Sequence, residues 1–171
     1  NEINFPFKRY QIQPVWRADR PQYGRFQEFI QCDADIIGSN SLLLEVDLIL
    51  LCTEVFKKLG LESITIKINH RKILYDISKK IGFKNNFKDF TTILDKFNKI
   101  GSKGVIDLLR KENISSSKLS DLKYLLTLDG SNESKLKSIS KFLGLSFSEN
   151  IGLNDIDKIL KNKFIQSSVD F

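Results

Sequence analysis

Scarcities in this sequence remove whole classes of explanation before any motif is read. Of 171 residues none is methionine, one is histidine, one tryptophan, two cysteine and three proline. Cys32 and Cys52 have no second thiol or histidine at ligand spacing, so neither a zinc motif nor a disulfide framework is present. Little proline, with 41% hydrophobic and 28% charged residues, separates the chain from disordered and fibrous proteins. A membrane-spanning helix needs roughly 20 nearly unbroken apolar residues. The longest apolar stretch, Leu42 to Leu51, is broken by Glu45 and Asp47, and no signal peptide is recognisable. The expectation is a cytoplasmic globular protein that does not engage a membrane. With no methionine to begin it, the chain is read as excised from something longer.

The formal net charge is +6, modest unless it is concentrated. From Phe83 to Lys163 there are 15 basic against 10 acidic residues, whereas residues 1–82 carry 12 against 10. The excess lies downstream. Interspersed acids and scarce arginine suit a solvated helical face as well as an RNA-binding one.

Alternating segments at Lys8 to Asp19 and Glu28 to Gly38 flank the turn-like RPQYGRFQ and predict a β-hairpin with a long loop. A helix is expected from Leu42 to Leu59, entered through Ser39-Asn40-Ser41 and left at Gly60. Glu62 to Asn69 alternates and predicts a strand; Arg71 to Ile81 predicts a helix that Gly82 ends. Apolar residues at three- and four-residue spacing then imply about five helices between Asn86 and Asn162, with stops at Gly101, Ser115 to Ser117, Gly130 and Gly144. Phe164 to Phe171 reads as a strand returning to the first sheet.

Side chains alternate faces along a strand. Phe29, Gln31, Asp33 and Asp35 therefore share one face of the second hairpin strand, opposite Ile30, Cys32, Ala34 and Ile36. On the first strand Arg9, Gln11, Gln13, Arg17 and Asp19 lie opposite Tyr10, Ile12 and Trp16. An antiparallel hairpin can bring both polar rows to one surface, adding Arg25 from the loop. Guanidinium forks suit phosphate oxygens, an aromatic ring can stack on a base, and a carboxylate beside an amide can hold an ammonium group. A solvated sheet face is the plain alternative. Trp16 and Tyr10 are expected in a core, Cys32 and Cys52 as small buried residues, and His70 in a turn.

The segment FPFKRYQIQPVWRADRPQYGRFQEFIQCDADIIG closely resembles the region around the second signature motif of class II aminoacyl-tRNA synthetases, and the block RADRPQ-x-GR-x-x-EF-x-QCD-x-D points to the histidyl family. INHRKIL, Ile68 to Leu74, resembles that family's next strand-to-helix junction, and the final VDF its lead-in to a histidine-specific motif. The resemblance implies an α+β fold. Residues 1–82 would be a partial catalytic core, part of an antiparallel sheet with flanking helices; 83–162 a mostly helical insertion directed to the tRNA acceptor stem; and 163–171 a strand returning to the core.

By position, the resemblance assigns Arg17 to the ATP α-phosphate as the catalytic arginine, Arg25 to the outer phosphates, Phe29 to adenine stacking and Asp19 to the adenine edge. Gln31 and Asp35 would bind histidine, Asp35 at its amino group. Asp19 stands where many relatives have Glu, Asp35 is of the eukaryotic type, and Tyr23 replaces a common lysine. The implied activity is histidine–tRNA ligation: ATP and Mg2+ activate histidine to histidyl-adenylate, and tRNA(His) receives it, in a full-length homodimer. No protein metal site is expected. The family's other motifs and its anticodon-binding domain are missing here, so this segment alone is expected to be inactive. The rivals are a catalytically silent synthetase-like regulatory subunit and a basic RNA-binding or interaction module.

Overall fold

The computed structural model describes residues 3–61 and 63–165, and the backbone of 169–170. The chain divides into two compact units, residues 1–45 and 46–171. Unit 1 is built on a hairpin of β1 (Phe7–Trp16) and β2 (Glu28–Ile37), paired antiparallel. The next element, α1 (Leu42–Lys58), starts in unit 1 and runs into unit 2. Its dipole is matched by Glu45 in the first turn and Lys57 and Lys58 in the last.

Unit 2 is helical. After β3 (Ile66–Lys67) come α2 (Arg71–Ile81), α3 (Phe87–Leu94), α4 (Phe97–Arg110), α5 (Ser116–Leu126), α6 (Asn132–Leu143) and α7 (Ile151–Leu160), then β4 (Val169–Asp170). In α2 the buried Ile73, Ile77 and Ile81 recur every four residues, the row that faces a core on a 3.6-residue period. That face packs on α3, α5, α6 and α7. Gly82 ends the helix at φ +78°, a conformation costly for a residue with Cβ, and its N–H and that of Phe83 close the last carbonyls. Phe90, Val105, Leu109, Leu122, Leu136 and Leu153 complete a core with almost no solvent exposure.

Among the described residues two polar ones are buried, Ser78, whose Oγ donates to the Tyr75 carbonyl within α2, and Asn150. Asn150, 2% exposed, caps α7 by accepting from Leu153 N–H at 3.1 Å and donates to Asp76 Oδ2 at 2.6 Å. Asp76 also accepts from Lys72 one turn earlier on α2, so the carboxylate through which the buried amide ties α7 to α2 is itself held by an ion pair within α2. His70 is more than a turn residue: its Nδ1 accepts from Lys72 N–H and caps α2.

Several expectations change. Of the strand foreseen at 62–69, residue 62 falls outside the described residues and the described part contracts to Ile66–Lys67. The stop expected at Gly101 is found, since its φ of +67° and ψ of −179° are non-helical and part α4 into two pieces, but a new helical turn follows at once. Of the return strand, Phe164 and Ile165 lie in a turn, residues 166–168 and 171 fall outside the described residues, and β4 pairs in parallel with β3, not with the hairpin. Trp16 and Tyr10 are 72% and 80% exposed, because a two-stranded sheet supplies no second layer within its own unit. Cys32 and Cys52 are exposed too. Among the described residues no helix is long and apolar enough to cross a membrane.

Candidate active site on the hairpin

The hairpin register sets Arg9 opposite Asp35, Gln11 opposite Asp33, Gln13 opposite Gln31 and Val15 opposite Phe29. Directly opposed residues share a face, so the two polar rows do form one surface. That surface is the more shielded side. Gln11, Val15, Phe29, Gln31, Asp33 and Asp35 are half-buried, whereas Tyr10, Ile12, Trp16 and Ile30 on the reverse are exposed.

Three clusters stand along it. At the loop end of the strands the Arg17 guanidinium lies 5.0 Å from the Phe29 ring centroid, and its Nη2 donates to Gln31 Oε1 at 2.9 Å. A fork, an aromatic plate and an amide thus converge. Beyond them the loop closes through paired backbone bonds between Gln22 and Arg25, with Gly24 at φ +74° supplying the left-handed turn residue and Tyr23 fully exposed at the tip. This brings Arg25 Nε to 3.9 Å from Asp19 Oδ2, while Gln27 Nε2 donates to the Asp19 carbonyl at 3.0 Å.

The third cluster is at the far end of the strands. Arg9 Nε donates to Asp35 Oδ2 at 2.8 Å, its Nη2 lies 2.6 Å from the same oxygen as an ion pair, and its Nη1 donates to Gln11 Oε1 at 3.1 Å. The structure therefore gathers Arg17, Phe29 and Gln31, and separately Asp19 with Arg25. Asp35 stands four residues along β2 from Gln31, about 13 Å at strand rise. The pairing of Arg9 with Asp35 had escaped sequence reasoning. Arg9 belonged to the polar row, but only the register reveals its partner.

A cavity of about 420 Å3 lies in unit 2, lined mainly by apolar side chains of α2, α3, α5 and α6 such as Ile73, Leu74, Leu122 and Leu125. Lys67, Asn69 and Lys135 also line it, without the arginine and carboxylate groups of the hairpin surface. Among the described residues no group of three or more His, Cys, Asp or Glu converges as a metal site.

The sequence model of the family described as histidyl-tRNA synthetase matches residues 4–159. The chain belongs to the histidyl-tRNA synthetase family. It is 47% identical over 170 residues to the histidine–tRNA ligase of Christiangramia forsetii, covering 99% of this chain and 36% of that protein. It is 48% identical over 162 residues to that of Flavobacterium johnsoniae, covering 95% and 34%. The structure matches the crystal structure of histidyl-tRNA synthetase from Nostoc sp. PCC 7120 with a TM-score of 0.83 at 28% identity, covering 99% of this chain and 40% of that one. The α+β architecture agrees with this match. The chain spans about a third of the length of the curated relatives it matches.

Proposed function

We propose that this segment supplies part of the ATP and histidine site of a histidine–tRNA ligase, which activates histidine as histidyl-adenylate and transfers it to tRNA(His). The observation that carries this reading is the single surface on which Arg17, Phe29 and Gln31 converge, with Asp35 on the same face. A carboxylate oxygen of histidine attacks the α-phosphorus of ATP and pyrophosphate leaves; a hydroxyl of the terminal tRNA ribose then attacks the histidyl carbonyl and AMP leaves. Protein groups need only position the reactants and stabilise charge.

Arg17 holds the α-phosphate in its fork, Phe29 stacks on adenine, Asp19 lies at the adenine edge and Arg25 meets the outer phosphates. Mg2+ bound with ATP would supply further neutralisation of phosphate charge beside the Arg17 and Arg25 guanidiniums. The reacting histidine carboxylate must lie beside the α-phosphate, hence near Arg17 and Gln31. Asp35, about 13 Å further along the strand, is better placed for the imidazole end of the amino acid than for the amino group the resemblance suggested. A carboxylate that accepts an imidazole N–H would discriminate against amino acids lacking that donor.

The helical stretch 83–162 is proposed as the insertion that approaches the tRNA acceptor stem, and the complete protein as a cytoplasmic homodimer. The presence of Arg17, Arg25, Gln31 and Asp35 together favours an active enzyme over a silent regulatory relative. In the complete protein Arg17→Ala should slow adenylate formation about a hundredfold or more, the scale of removing one preorganised charge donor. Lysine should restore it only in part, since a point charge lacks the fork. Unchanged pyrophosphate exchange in Arg17→Ala would refute the assignment.

A further inference from the structure

We infer that Arg9 is a positioning residue for histidine recognition: it holds one oxygen of Asp35 so that the other is presented to the substrate. The inference rests on the proposed role of Asp35. Both Arg9 contacts to Asp35 end on Oδ2, from Nε at 2.8 Å and Nη2 at 2.6 Å. Among the described residues no hydrogen bond to Oδ1 is found. A guanidinium placed side-on to a carboxylate usually spreads over both oxygens. Here the fork closes on one, and the remaining nitrogen, Nη1, is held by Gln11 Oε1 at 3.1 Å.

The two residues are direct cross-strand partners, so the hairpin register fixes where the pair stands. Both side chains are 41% exposed, and ion pairs so open to water contribute little to folding. Orientation is what the pair can supply. A free aspartate rotates between broad χ2 states, and a ligand that needs one rotamer must freeze it. Arg9, itself anchored to Gln11, fixes that rotamer in advance and lowers the ordering cost of binding.

The test is steady-state kinetics of the complete protein in a double-mutant cycle. Arg9→Ala should raise the histidine KM about fivefold to tenfold, the scale of one charge-assisted hydrogen bond. The ATP KM and kcat should stay within about twofold, as when binding shared by ground and transition states is lost. Arg9→Lys should recover part of the loss. In an Asp35→Asn background Arg9→Ala should add nearly nothing, and thermal melting should show both variants folded. A histidine KM that falls in Arg9→Ala would show that Arg9 competes with the substrate and overturn the inference. So would equal losses in both backgrounds, or no effect of Arg9→Ala where Asp35→Asn is impaired. An unchanged histidine KM in Asp35→Asn would instead remove the histidine role of Asp35, and this inference with it.

Discussion

The two units are built on opposite plans. In the helical unit apolar side chains such as Phe90, Leu109 and Leu153 are sealed inside and the lysines face water. In the hairpin the half-buried row is the polar one, and Tyr10, Ile12, Trp16 and Ile30 are left in solvent. The first plan stabilises by removing apolar area from water. The second spends its shielded face on the cross-strand polar contacts of the proposed site, leaving the sheet few apolar contacts of its own. An isolated two-stranded sheet is marginal in water. The proposed ligand chemistry thus falls where the fold invests least in burial.

The largest break in this contrast should come from Phe90→Ala, which empties a fully buried position and should cost about 3–5 kcal/mol. The helical circular-dichroism transition should move to lower temperature or urea concentration. The emission of Trp16, the sole tryptophan and a resident of the hairpin, should not change. A parallel change in both signals would mean that the two units unfold as one. Next, Asn150→Ala removes the α7 cap and leaves Asp76 without its buried donor, for about 1–3 kcal/mol. A loss below about 0.5 kcal/mol in urea unfolding would show that water replaces the amide at no cost. The smallest effect is foreseen for Trp16→Ser, within about 0.5 kcal/mol, since little of the ring is shielded. A large destabilisation there would reveal a covered indole.

Much of the helical unit was legible because its signals are local. The four-residue recurrence of Ile73, Ile77 and Ile81 identifies a buried stripe, and Gly82 and Gly144 mark helix ends whose backbone adopts positive φ. Gly101 marks a break in the same way: its positive φ interrupts α4, and a new helical turn follows immediately. On the hairpin, alternation sorted residues into rows but could not set the rows against each other. Continuing the tip pairing of Gln22 with Arg25 back along the strands would place Trp16 opposite Gln31, mixing apolar and polar rows. The strands instead pair Trp16 with Glu28 and Gln31 with Gln13, and the irregular loop absorbs the offset. The Arg9 pairing with Asp35 depends on that offset and could not be read from spacing.

The central claim is that this polar face divides its labour, with the nucleotide near Arg17 and Phe29 and histidine selectivity near Asp35. The most direct measurement is the pair of KM values for histidine and ATP in Asp35→Asn, made in the complete protein. The variant keeps the size of the side chain and one acceptor oxygen but removes the charge. Histidine KM should rise at least about tenfold, equivalent to roughly 1.4 kcal/mol, while ATP KM changes much less. Equal weakening of both would indicate collapse of the hairpin surface, and an unchanged histidine KM would contradict the account.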